Sequence, residues 1–525
     1  MKLRKILAAL LTLAILLGMV PALQTGAAAA DTQDKSNLPM SDGNMLRLWY
    51  DEPVGSADWT NRCLPIGNGT IGGLTYGEIV KERLHVNEKT LWGGEPASDP
   101  NSLDSYTFDA AALEKIRTDM DDKSKDVFGG NGTSDINSQL SAFMGAKDGS
   151  SMGQYQDMGD IYYDFTASGL TADGASNYVR DLDLRTAVSS VNFDCGGVHF
   201  EREYFVSHPD KVMVSHFTAS EKGKLSFQAS LKNASGLTAA KTAKDNILTM
   251  SGKLSSNGEQ YVLTGAVYTN GGSVTANDDG TITVEGADEA TVYVFADTDY
   301  KNVYPTYRDG RTLEAIISAN EAVVKAAGAK GYAKVRSAHL ADYQALFGRV
   351  ELDLGGECPN VSTDVLMANY RSGDHQHAVE EMAFQMGRYL TIAGSRQGDD
   401  LPTNLCGIWL VGSAGNYWNS DFHFNVNVQM NYWPALETNL AECETVFNDY
   451  MKSLVIPGRL TAAVSNGVKT DHYMTTPIGE GNGFMVNTQN NAYGHTWPIG
   501  SQEYGWNICG SSWALQNVYE YYLYT

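Results

Sequence analysis

His423-Phe424-Asn425-Val426-Asn427-Val428-Gln429-Met430-Asn431-Tyr432-Trp433-Pro434 sets a histidine and a row of side-chain amides at every second position. In an extended segment, residues two apart point the same way. Asn425 and Asn427 are therefore expected to face the same way. An amide can serve a polar molecule from both ends, because its oxygen accepts and its nitrogen donates. His423 lies two residues earlier, on the same side. Two asparagines in a loop also cap helices or form Asx turns, and both readings stand at this point.

Outward from this run the chain is helical from about residue 363. Val379, Met382, Ala383, Met386, Leu390 and Ala393 make one apolar stripe. Val446, Phe447, Tyr450, Met451 and Leu454 make a second, and Ala514, Val518 and Tyr521 a third. Spacings of three and four predict amphipathic helices sharing a core. Loops dense in Asn, Gly, Trp and His separate them, which is where sites usually sit. Trp409 and Trp418 are candidates for a cleft wall or for core packing. Trp497 and Trp506 share a loop with Asn487, Asn490, Asn491 and His495.

Before residue 300 the texture is β. Val188–Phe193, His199–Val206, Val212–Phe217, Ser273–Ala276 and Thr281–Glu285 alternate in character, with Asn-Gly and Asp-Gly turn signals between the segments. Such spacing predicts an antiparallel sandwich. A stretch at about 121–154, containing Gly129-Gly130-Asn131-Gly132, reads as a surface insertion. Near residue 312 the period changes. Leu313, Ile316, Ile317 and Val324 predict a helix broken at Gly328 and Gly331, and Leu340, Tyr343 and Phe347 predict another. Val350–Leu354 then reads as one strand. The expected order is a β domain over 45–305, a helical linker over 306–362 and a helical domain over 363–525.

The amino terminus reads as a secretory signal over residues 1–30. Lys2, Arg4 and Lys5 precede the apolar run Ile6–Val20, and Gly26-Ala27-Ala28-Ala29-Ala30 follows. The run is shorter than the roughly 20 apolar residues that span a bilayer. A secreted, extracellular protein with no membrane attachment after cleavage is expected. The formal charge is −24, and removing those three cations takes it to −27. Such a surface repels phosphate backbones, which argues against nucleic acid as a partner. A neutral glycan meets no such barrier. The chain holds 28 Tyr and 9 Trp, side chains on which the apolar faces of pyranose rings stack. The six cysteines are far apart and form no CxxC pair, so most read as buried thiols.

Three groups of residues resemble glycoside hydrolase family 95, the α-L-fucosidase family. The first is Leu64-Pro65-Ile66-Gly67-Asn68-Gly69 with Leu84–Gly94. The second is Tyr178–Asp210. The third joins Phe384–Leu390, Ser395-Arg396 and Leu401–Trp409 to the run at 423–434. The resemblance covers about 45–525. It implies a multidomain β-then-α fold: an antiparallel β super-sandwich, a helical linker and part of an (α/α)6 toroid. It implies hydrolysis of terminal α-L-fucosyl residues from an oligosaccharide or glycan with inversion. No cofactor and no metal are implied.

In an inverting glycosidase an acid protonates the leaving oxygen and a base activates water on the opposite face. By the resemblance, Asn425 and Asn427 are the pair that holds this water, His423 hydrogen-bonds the fucose, and Trp506 contacts the sugar. Trp409 is a further candidate for substrate binding. The acid and base motifs of the family are not found, and Glu520 reads as structural. Residues 363–525 are short of the roughly 300 residues that twelve helices with loops need, so an incomplete catalytic domain is expected. Alternatives are an α-L-galactosidase of the same family, a non-catalytic glycan-binding protein, and a phosphorylase of related architecture.

Overall fold

The computed structural model describes residues 45–525 except 56–58, 96–109, 122–137, 140–142, 144–151, 357–358, 374, 413–416, 466–482, 500–504 and 508. The expected signal segment and the Gly129–Gly132 stretch lie outside the described residues.

Among the described residues, two antiparallel sheets form the amino-terminal part. The larger sheet contains β1 (Arg47–Tyr50), β6 (Ala175–Asp183), β7 (Val188–Cys195), β8 (Val198–Val206), β9 (Met213–Ala219), β11 (Ala239–Lys244), β12 (Ile247–Lys253), β13 (Gln260–Asn270) and β16 (Glu289–Thr298). Its spatial order is β1-β6-β7-β8-β9-β16-β13-β12-β11. The smaller contains β2 (Leu64–Gly67), β3 (Ile71–Thr75), β4 (Lys81–Glu88), β5 (Gly159–Asp164), β10 (Leu225–Asn233), β14 (Ser273–Ala276) and β15 (Ile282–Ala287), ordered β14-β15-β10-β5-β4-β3-β2. Alternation explains the sandwich. In β8, Val198, Phe200, Arg202 and Tyr204 are buried while His199 and Glu201 are exposed. Tyr163 of one sheet meets Phe217 of the other edge-on at 4.9 Å. Arg202 sits at an apolar position because its guanidinium donates to the carbonyls of Glu78 (2.6 Å) and Ile79 (2.7 Å) and lies over the Phe165 ring.

Short helices α1 (Trp59–Arg62) and α2 (Ala110–Asp121) interrupt this part, and α3 (Leu313–Lys330) and α4 (Tyr332–Phe347) follow it. Val324, Ala327 and Val335 of α3 and α4 cover the outer face of the larger sheet through Phe205, Val214 and Tyr293. Gly328 does not break α3, contrary to the expectation. A Cβ there would stand 2.1 Å from the Tyr268 ring, so the glycine gives the helix clearance over β13. The break comes at Gly331, whose φ of 82° lies in the left-handed region that glycine enters freely.

No strand forms at Val350–Leu354. Side chains satisfy its backbone instead of a neighbouring strand. The Val350 carbonyl accepts from Gln385 (2.9 Å) and Arg388 (3.2 Å), and the Leu354 amide donates to Glu381 (2.6 Å).

The carboxyl-terminal part is helical: α5 (Thr363–Tyr370), α6 (Gln376–Gly394), α7 (Asn427–Glu437), α8 (Ala441–Ser453), α9 (Val455–Ser465) and α10 (Gly510–Tyr524). The expected stripe on α8 is buried throughout. On α6 the buried face is rotated. Val379, Met382 and Ala393 are buried as expected, but Gln385, Arg388 and Tyr389 are buried while Met386 and Leu390 are half-exposed. The polar pair belongs inside because it binds carbonyls of Leu346 and Phe347 at the end of α4 and of Val350 just beyond it. Five described cysteines are free thiols, of which Cys443 is buried and Cys509 exposed, so burial is less general than expected.

Candidate active site

The run at 421–424 is extended, and alternate side chains face opposite ways. Phe422 and Phe424 are fully buried. Phe422 stacks on Trp92 at 5.3 Å and meets Tyr450 at 4.7 Å. The backbone is pinned from the other side: the Phe422 amide donates to the Asn490 carbonyl (3.0 Å) and the Phe424 amide to the Thr488 carbonyl (2.7 Å). Asp421 and His423 share the opposite parity. His423 Nδ1 lies 2.9 and 3.1 Å from the two carboxylate oxygens of Asp421. Asp421 is fully buried and His423 is 6% exposed. Burial pushes the Asp421 carboxyl up, and hydrogen bonds from His423 and Gln489 oppose that shift. Trp418 is 63% exposed and stacks on the His423 ring at 5.0 Å and 17°.

The extended run does not continue through the two asparagines as expected. It ends at Phe424, whose carbonyl accepts from the side chains of Gln429 (2.9 Å) and Asn507 (3.0 Å) rather than from a strand. Asn425 lies in the turn that follows, and Asn427 opens α7. The Val428 amide donates back to the His423 carbonyl (3.0 Å) and closes that turn on the histidine. Asn425 is exposed and Asn427 half-buried. Neither side chain hydrogen-bonds another described residue, and neither caps α7. The helix-capping alternative is therefore absent.

Trp506 is half-buried. Its neighbour Asn507 holds the Phe424 carbonyl, and the Thr488 amide donates to the carbonyl of Gly505 (3.3 Å). The 505–507 segment thus lies alongside the turn that carries Asn425. Trp409 is committed elsewhere. Its indole N–H donates to the Ile66 carbonyl at 2.9 Å, and its ring covers Gly394 and Gly407. Of the two readings open for Trp409, these contacts describe packing between β2 and α6, with the ring still half-exposed. Glu520 is exposed on α10, and Trp497 is buried.

The β domain holds the loop leading into this site. The His85 ring contacts the Leu410 carbonyl (2.6 Å), Asn87 brackets Leu410 with bonds to its carbonyl (2.9 Å) and from its amide (3.0 Å), and the Tyr155 hydroxyl donates to the Ile408 carbonyl (2.9 Å). The Tyr155 amide donates to the Asn419 carbonyl (3.1 Å), next to Trp418. His85 also sits between Asp157 (3.0 Å) and Asp160 (2.9 Å).

Sequence reasoning missed Asp421 and Asn507. The Asp-x-His spacing between two buried phenylalanines was a usable signal for the first. Asn507 had only its place beside Trp506. Among the described residues no cluster of His, Cys, Asp and Glu is suited to a metal ion, and no helix is long and apolar enough to cross a membrane.

Residues 331–525 match the glycosyl hydrolase family 95 catalytic domain, and residues 48–303 match the glycosyl hydrolase family 65 N-terminal domain. Alpha-L-fucosidase 2 of Arabidopsis thaliana is 31% identical over 514 residues, covering 91% of this chain and 56% of that protein. A probable alpha-fucosidase A of Aspergillus niger is 28% identical over 502 residues, covering 91% and 58%. The chain spans less than two thirds of the length of these relatives. A solved structure titled putative kojibiose phosphorylase from human microbiome shares the fold, with a TM-score of 0.54 at 9% identity over 91% of this chain and 56% of that one. By the two matched domains and these relatives, the chain is similar to glycoside hydrolase family 95, with residues 331–525 matching its catalytic domain.

Proposed function

We propose that this chain acts in the hydrolysis of terminal α-L-fucosyl residues from glycans, with inversion at the anomeric carbon. The names of its relatives support the sugar. The observation that carries the reading is the free amide pair at the start of α7. Asn425 is exposed, Asn427 is half-buried, and neither side chain spends a hydrogen bond on a described residue. Each can accept from a water molecule and donate to it, which orients a lone pair toward the sugar. His423 and Trp506 contact the sugar from either side of the turn. A fucose carries a methyl where L-galactose carries a hydroxymethyl, so a bulky ring at His423 disfavours the larger group. In this reading the helices of 363–525 belong to an (α/α)6 toroid, and residues 1–30 direct secretion.

The test is a pair of measurements on the 525-residue protein and on Asn425→Ala and Asn427→Ala. Release of fucose from fucosyl-lactose reports the chemistry, and titration with methyl α-L-fucoside reports binding. The reading expects the fucoside to bind. Any fucose release should fall at least a hundredfold in either variant while fucoside binding changes less. Absence of fucoside binding, or variants that turn over like the parent, would overturn it.

A further inference from the structure

We infer that Asp421 is a positioning residue that fixes His423 in the Nδ1–H tautomer, so that Nε2 is presented as a hydrogen-bond acceptor. The consequence for substrate, that a sugar hydroxyl donates to Nε2, rests on the proposed fucoside-binding reading. The tautomer itself does not.

A carboxylate only accepts, so the nitrogen facing it must carry the proton. Both Asp421 oxygens lie within 3.1 Å of Nδ1. In a neutral imidazole the other nitrogen then holds a lone pair. His423 Nε2 hydrogen-bonds no described residue. The ring plane is set on one face by Trp418, and the backbone on both sides of the ring by the bonds from Phe422 and Phe424 to the 488–490 segment. Asp421 in turn receives Gln489, so its carboxylate is oriented from two directions. A carboxylate with no solvent exposure is costly unless it is fully hydrogen-bonded. A buried carboxylate bound to Nδ1 of a histidine whose Nε2 meets no described residue is what an orienting role requires. Packing alone would be served as well by an amide of the same shape.

That difference makes the test. An asparagine at 421 can offer Nδ1 either an oxygen or an NH2 group, so Asp421→Asn keeps the shape and removes the bias. The protein is labelled with 15N-histidine, and its imidazole nitrogens are recorded at pH 8, with His423 assigned by the loss of its signals in His423→Gln. The inference expects the parent to show a protonated Nδ1 and an unprotonated Nε2. Asp421→Asn should show a mixed or reversed pattern. Methyl α-L-fucoside should bind Asp421→Asn at least tenfold more weakly, with little change in Tm. A protonated Nε2 in the parent, or an unchanged tautomer in Asp421→Asn, overturns the inference. If Asp421→Asn does not fold, the parent spectrum alone decides. A parent with the inferred tautomer that binds no fucoside would overturn the functional reading and leave the assignment of Asp421 standing.

Discussion

The side-chain amide of Asn507 donates to the carbonyl of Phe424 across 3.0 Å, joining the segment of Trp506 to the turn of Asn425. Asn507 also accepts through its oxygen from the Cys509 amide (3.2 Å) at the start of α10. Asn507→Asp keeps the second bond and turns the first into an oxygen facing an oxygen. The Phe424 carbonyl keeps its bond from Gln429, so the loss is that of one hydrogen bond, about 0.5–1.5 kcal/mol. Asn507→Asp is expected to weaken fucoside binding severalfold and to lower the denaturation midpoint, whereas Asn507→Ser should do less of both. Calorimetry and ligand titration on the two variants check this.

His85 makes the domain seam sensitive to pH. Burial alone would lower its pKa, but Asp157 and Asp160 outweigh that and raise it to about 10. The unfolded value is about 6.5. Because the folded value is raised, the stabilisation is complete below about pH 6.5 and is lost as pH rises toward 10, at a rate on the order of 1 kcal/mol per pH unit. Tm is expected to fall more steeply between pH 7 and 10 in the parent than in His85→Gln. Parallel slopes in the two proteins would contradict the charged-histidine account.

Arg388 is 1% exposed and gathers the carbonyls of Leu346 (3.0 Å), Phe347 (2.6 Å) and Val350 (3.2 Å) with the Gln385 oxygen (2.9 Å). It caps the end of α4 with a cation, where the helix dipole favours one. Arg388→Met is expected to destabilise by about 3 kcal/mol, since several hydrogen bonds from one charged donor are lost together. Arg388→Lys should recover only part, because an ammonium cannot reach the same fork. Thermal denaturation of the two variants measures the difference.

Glu444 on α8 is 1% exposed, and neither carboxylate oxygen has a hydrogen-bond partner among the described residues. Burial, with Glu520 adding to it, raises its pKa to about 8. A raised folded value means that the unfolded state sheds its proton first. The relative stability of the acid is therefore present below about pH 4.5 and is lost as pH rises through 8. Glu444→Gln is expected to stabilise the protein at pH 7 by about 2 kcal/mol. The Tm advantage should grow from pH 5 to pH 8 and vanish near pH 4.

The β strands were legible because one face is solvated and the other packed: Ser273–Ala276 was read to the residue, and β8 lay within one position. The α8 stripe was legible for the same reason. The α6 face was misjudged because Gln385 and Arg388 are buried by their bonds to carbonyls far off in sequence, which no local period reveals. Val350–Leu354 failed likewise, its backbone partners being side chains on α6. At the candidate site, the two-residue spacing of Asn425 and Asn427 was visible, but the turn that carries one and the helix start that carries the other were not. That turn depends on Gln429 and Asn507 meeting one carbonyl, and Asn507 lies 83 residues away. Trp409 gave no sign in sequence that its indole would be used by Ile66.

The carbonyls of Ile408 and Leu410 take their donors from Tyr155, Asn87 and His85, so the match beginning at residue 331 marks a border in the chain and not a joint in the molecule. A polypeptide started there would bare those oxygens and loosen the run toward Trp418 and His423. Grafts between relatives should accordingly move both halves as one heritable cassette, and a shuffled library cut at that border should lose the proposed fucoside binding before it loses helix content.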